Sequence, residues 1–158
     1  MKAQIIKPTT KDQQRHHFSV FLAGSIEMGA AEDWQTRIEN VLADYSVTIF
    51  NPRRDEWDSS WEQRETNPEF NYQVNWEINR LEEANIIFMY FSPETKSPIS
   101  LLELGMHKDD NIMVCCPDGF WRKGNVEIVC SRNEIPLFNN LDSAIASLRS
   151  RLAYYQTI

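Results

Sequence analysis

The sequence predicts an α/β fold: a three-layer sandwich around a mostly parallel sheet of five strands. Three observations lead there. Short runs of bulky and β-branched residues alternate with stretches whose apolar residues recur at helical spacing. The run Ile86-Ile87-Phe88-Met89-Tyr90-Phe91 has no polar alternation, as expected of a strand covered on both faces. It leads through a turn-like segment, residues 92–96, into Ser97-Pro98, and a proline suits the first turn of a helix.

The elements follow in order. Residues 1–17 are polar and read as a flexible arm, with residues 18–158 as one domain. The first strand is residues 18–23, and it ends in a tight turn at Gly24-Ser25. A helix over about residues 30–45 places Trp34, Ile38, Val41, Leu42 and Tyr45 on one stripe. The amides around residues 24–29 would then suit a phosphate or a sugar hydroxyl. Residues 47–50 form a second strand, closed by Asn51-Pro52. A long irregular segment follows to Pro68, with Arg53, Arg54, Trp57 and Trp61. Loops of that length are usually functional or mobile, and the tryptophans either stack on a planar base or pin the loop to the core.

Residues 71–84 read as a helix with Val74, Ile78 and Leu81 inward. The central strand, residues 86–91, and a helix over about residues 99–108 come next. A fourth strand is residues 112–116. Residues 120–125 read as a ligand or subunit-contact loop, and residues 126–129 with 135–137 as a fifth, edge-like strand. Asn139-Asn140 opens a last helix carrying Leu141, Ile145, Leu148 and Leu152. These elements fit a flavodoxin-like, Rossmann-like strand order, with a site at the C-terminal strand ends.

Composition limits the partners. With 42% hydrophobic and 25% charged residues the chain is an ordinary globular protein, and a formal net charge of −7 disfavours a nucleic-acid polymer. A single nucleoside or nucleotide stays compatible. Cys115, Cys116 and Cys130 lack zinc-site spacing and read as reduced, buried thiols of a cytoplasmic protein. His16 and His17 read as solvated, with no metal role. No stretch reads as a signal peptide or a membrane span.

Two carboxylates stand out. Glu103, among Leu101, Leu102 and Leu104, falls near the start of a helix just past the central strand. Glu77 shares the inward side of its helix with Val74 and Leu81, where a carboxylate needs a partner or a purpose. Ser100-Leu101-Leu102-Glu103 also fits a capping box, in which Glu103 would only bind back to the Ser100 amide.

Taken together, Phe21-Leu22-Ala23-Gly24-Ser25, Asn51-Pro52-Arg53-Arg54, Asn75-Trp76-Glu77 and Leu102-Glu103-Leu104-Gly105 resemble the nucleoside 2-deoxyribosyltransferase-like family over about residues 18–130. The resemblance implies that Glu103 is the nucleophile that forms a glycosyl ester, and that Glu77 handles the proton on the base. It also implies substrate contacts from Phe21, Gly24, Ser25, Asn51, Arg53, Trp57, Ser97 and Asn125, no metal and no cofactor. Asn125 would complete the pocket of a neighbouring subunit, which implies a homo-oligomer. The chain departs from the family pattern in three places: Glu77 replaces an aspartate, Phe21 a tyrosine, and Ser97 a sugar-binding aspartate. Relatives that hydrolyse deoxynucleoside 5′-monophosphates have serine at that last position, where it contacts the phosphate.

Three readings remain at this level. The first is N-glycosidic bond cleavage and transfer on 2-deoxyribonucleosides, or the related 5′-monophosphate hydrolysis. The second is a catalytically silent nucleotide sensor, and the third a structural protein in which Glu103 only caps its helix.

Overall fold

The computed structural model describes residues 2–11, 14–26, 32–54 and 58–156. Among them six strands form one all-parallel sheet in the order β1-β3-β2-β4-β5-β6. The strands are β1 (Gln4–Ile6), β2 (Ser19–Gly24), β3 (Thr48–Phe50), β4 (Ile86–Tyr90), β5 (Ile112–Cys115) and β6 (Leu137–Phe138). The helices are α1 (Trp34–Val41), α2 (Pro68–Glu83), α3 (Pro98–Met106), α4 (Lys123–Arg132) and α5 (Leu141–Gln156). From β2 onward the order is the flavodoxin-like one. The chain turns left from β2 to β3, crosses back to β4, and continues right.

Strand alternation sorts the apolar side chains into two cores. Phe21, Ala23, Ile87, Met89, Phe91, Val114 and Cys116 face one side, where Trp76 and Leu81 of α2, Leu104 of α3, and Val126 and Cys130 of α4 cover them. Val20, Leu22, Ile86, Phe88, Tyr90, Met113 and Cys115 face the other, under Trp34, Ile38 and Leu42 and the α5 stripe of Leu141, Ile145, Leu148 and Leu152. Every residue of β4 is buried, as its unbroken apolar run requires. The three-layer sandwich therefore has α2, α3 and α4 on one face and α1 and α5 on the other.

The sheet has six strands rather than the expected five. The extra one is β1, inside the stretch read as a loose arm. It pairs with β3 from Gln4↔Thr48 to Ile6↔Phe50, and the Ile6 carbonyl accepts from the Asn51 amide. A three-residue strand carries no periodic signal of its own; the open edge of β3 recruits it. Residues 126–129 are not strand but part of α4, and the fifth expected strand reduces to β6. Two parallel neighbours need a crossover, and α4 is the crossover that carries the chain from β5 to β6. Among the described residues no helix is long and apolar enough to cross a membrane.

Candidate active site

Helix α2 opens at Pro68, where the Asn67 side chain accepts from the Phe70 amide and caps the first turn. Its buried residues are Gln73, Trp76 and Leu81, so the inward stripe is rotated from the expected one; Val74 and Ile78 are only half-buried. Glu77 lies one turn after Gln73 and is half-buried, like Val74 and Ile78. Gln73 Nε2 donates to Glu77 Oε1 at 3.0 Å.

Helix α3 follows β4 through residues 91–97. Pro98 sits in its first turn, and Ser97 is the N-cap residue with a left-handed φ of 46° and no side-chain capping bond. The helix thus starts two residues before Ser100, which is buried within it, so the capping-box reading of Ser100 and Glu103 does not hold. Glu103 occupies the second turn, half-buried, on a different side of the helix from Leu101, Leu104 and Gly105.

Burial pushes both carboxyls up, Glu77 to about 7 and Glu103 to about 8. The Glu77 charge raises Glu103 further, so the two carboxylates, one from each helix, share one electrostatic environment. The Gln73 amide works against burial and lowers Glu77. With both carboxyls lifted above the ordinary range and repelling each other, the pair resists carrying two negative charges at once. An ionised carboxylate beside a protonated one can supply a nucleophile and an acid from the same site.

Beside α3, at the point between β2 and β4 where the strand order reverses, lies a cluster of hydroxyls. Ser25 Oγ is 2.8 Å from Thr95 Oγ1 and 2.6 Å from Ser97 Oγ, and it accepts from the Ser92 amide at 2.8 Å. Thr95 Oγ1 donates to the Ser92 carbonyl. Open α/β sheets bind their ligands at this switch point. Gly24 leads into the cluster at a φ of 138°. A Cβ there would meet the Tyr90 carbonyl oxygen at 2.1 Å, so the close approach of β2 to β4 requires glycine.

Helix α1 does not start at the Gly24-Ser25 turn. It begins at Trp34, and Asp33 caps it by accepting from the Thr36 amide and hydroxyl. One of its first-turn amides, that of Thr36, is therefore engaged by a carboxylate, and of the expected amides at residues 24–29 those of 27–29 lie outside the described residues. Asn51 is buried, donating to Glu39 and accepting from the Arg53 amide. Arg53 Nη1 donates to the Glu32 carbonyl and to Gln35 Oε1. Phe21 is fully buried against Trp76, ring centroids 6.3 Å apart. Trp57 lies outside the described residues, while Trp61 faces the Arg54 guanidinium, 5.1 Å from its ring centroid.

Asn125 is exposed on α4 and does not share the Glu103 side of α3. It lines a groove of about 340 Å³ with Leu101, Leu104, Gly105, Trp121 and Arg122. The sequence reading missed Gln73 and Thr95. Neither an amide nor a hydroxyl leaves a mark in hydrophobic periodicity; only the four-residue spacing from Gln73 to Glu77 could have pointed to the first.

Residues 17–120 match a family model described as nucleoside 2-deoxyribosyltransferase like. No curated protein matches the chain.

Proposed function

The chain belongs to the nucleoside 2-deoxyribosyltransferase-like family, and from that premise we propose that it cleaves the N-glycosidic bond of a 2-deoxyribonucleoside through a glycosyl ester on Glu103. The observation that carries this reading is the carboxyl pair on α2 and α3, held in one partly buried environment where each charge acts on the other. The ionised Glu103 oxygen attacks the anomeric carbon. The bond from that carbon to the base nitrogen breaks, and its electron pair stays with the base. Glu77 delivers its proton to the base as it leaves. The ester then transfers the sugar to an incoming base or to water, with Glu77 receiving the acceptor's proton.

Without substrate the shared proton favours Glu103, whose carboxyl burial and the Glu77 charge lift to about 8, over Glu77 at about 7. The transition state settles the assignment. Positive charge developing at the anomeric carbon favours the ionised form of the carboxylate beneath it and sends the proton to Glu77. Incubation with a 2-deoxy-2-fluoro nucleoside should add the sugar mass to the peptide that holds Glu103. No labelled peptide, with base release intact, would rule out the covalent route.

Ser97 favours a second reading, in which the substrate carries a 5′-phosphate. The hydroxyls of Ser25, Thr95 and Ser97 form an uncharged cluster, where an aspartate at position 97 would repel a phosphate dianion. The comparison of kcat/KM for a deoxynucleoside and its 5′-monophosphate separates the readings. A phosphate-binding parent prefers the monophosphate and loses that preference in Ser97→Asp; a parent that prefers the free nucleoside leaves the first reading standing.

We also place the protein in a homo-oligomer, with Asn125 serving a neighbour's pocket. Its position in a groove away from the Glu103 side of its own α3 supports that arrangement.

A further inference from the structure

The Gln73 side chain is an inconspicuous member of the site whose amide is bonded at both its nitrogen and its oxygen. It is 3% exposed on α2. Its Nε2 donates one hydrogen to Glu77 Oε1 at 3.0 Å and the other to the Pro52 carbonyl at 3.2 Å. Its Oε1 accepts from Arg54 Nη1 at 3.4 Å. Those contacts fix which way the amide points. Flipped, it would set its oxygen against a carbonyl and a carboxylate, and its NH₂ against a guanidinium.

A fixed donor at Oε1 has a chemical consequence for Glu77. A carboxylic acid carries its proton on one oxygen, and the oxygen that already accepts from Gln73 is the poorer place for it. The proton is thereby directed to Oε2. The anchor also reaches outside the helix. Pro52 and Arg54 belong to the irregular segment after β3, and Trp61 of the same segment lies against the Arg54 guanidinium.

We propose that Gln73 is a positioning residue, which orients the Glu77 carboxyl so that Oε2 presents the proton to the departing base and ties that orientation to the segment after β3. The inference rests on the reading of Glu77 as the acid. The charged groups around Glu77 are few among the described residues. Glu103 faces it from α3 and disfavours a second charge. Arg54, from the segment after β3, reaches Gln73 rather than Glu77. Arg80, on the same helix as Glu77, is paired with Glu83 and lies over the Phe50 and Trp76 rings.

Two measurements on Gln73→Leu test this. The first is a carbon-13 NMR titration of the glutamate side chains without substrate. Loss of the donor removes a bond that favours the ionised form, so Glu77 should titrate about one unit higher than in the parent. The second compares kcat/KM for an ordinary deoxynucleoside with that for 7-methyl-2′-deoxyguanosine, whose base leaves without protonation. The ordinary substrate should lose about 10- to 100-fold and the methylated one much less, with the alkaline limb of the pH profile moved upward. Where Gln73→Leu does not fold, Gln73→Met keeps the length without a donor and adds no charge, and should shift Glu77 in the same direction. An unchanged Glu77 titration, or equal losses for both substrates, overturns the proposal. A parent that releases no base from either substrate defeats the reading of the reaction instead, and the titration still decides whether Gln73 holds Glu77.

Discussion

Two half-buried carboxyls that face each other weaken the fold wherever the unfolded chain would ionise them. Glu77 and Glu103 both stand above the ordinary carboxyl value of 4.5, at about 7 and about 8. A group raised on folding contributes fully below its unfolded value, and that contribution is lost as pH climbs through the folded one. The stability loss therefore falls between pH 4.5 and pH 8. Glu103→Gln and Glu77→Gln should each melt higher than the parent at pH 8, by on the order of 2 kcal/mol, and about equally with it at pH 4.5. Glu103→Gln should at the same time lose base release by about a thousandfold or more, since an amide is no anionic nucleophile. Equal melting at pH 8 would mean that the carboxyls are ionised and compensated in the native state. Both glutamates were legible in the sequence, because an acidic residue amid apolar ones on a helix is conspicuous. Gln73 was not, because its role exists only relative to Glu77, Pro52 and Arg54. Ser97 was legible as a cap, but its left-handed backbone and its bonds to Ser25 and Thr95 depend on the approach of two strand ends.

At the scale of elements, the strongly periodic pieces announce themselves. The doubly buried β4 and the α5 stripe appear where the pattern puts them. What escapes is whatever tertiary context decides. β1 is a strand only because β3 offers it an edge, and α4 is a helix despite Val126, Ile128 and Val129 because a parallel β6 requires a crossover. The junction between β2 and β4 is the least forgiving of these contexts. Gly24→Ala would put a Cβ at 2.1 Å from the Tyr90 carbonyl oxygen in a backbone conformation at φ 138°, and the Tyr90 atoms it would meet are backbone that cannot swing aside. The substitution should cost at least about 2 kcal/mol in denaturant unfolding and displace Ser25, so that the hydroxyl cluster loosens. Gly105→Ala, with nothing near the added carbon, is the control and should leave stability close to the parent's. A Gly24→Ala protein as stable as that control would show that β2 and β4 can separate without loss.

For the whole molecule the question is what covers α3. Ile99, Leu102 and Met106, at 59%, 59% and 54% exposure, form an apolar stripe along the helix that carries Glu103. Trp121 and Ile128 are exposed on the neighbouring segment and on α4. A second copy of the chain seated there would bury apolar surface and bring a foreign loop to the Glu103 side of α3. Leu102→Lys should then lower the mass measured by light scattering. The sharper test uses two crippled variants. Glu103→Gln lacks the nucleophile but keeps Asn125, while Asn125→Ala keeps the nucleophile and lacks the amide. If Asn125 serves the neighbouring subunit, each mixed dimer rebuilds one intact site from Glu103 of one copy and Asn125 of the other. Random exchange of subunits at equal ratio makes half the dimers mixed, so about a quarter of the parent's activity should return. If Asn125 acts within its own chain, no mixed dimer holds a complete site, and the mixture stays as inactive as its parts.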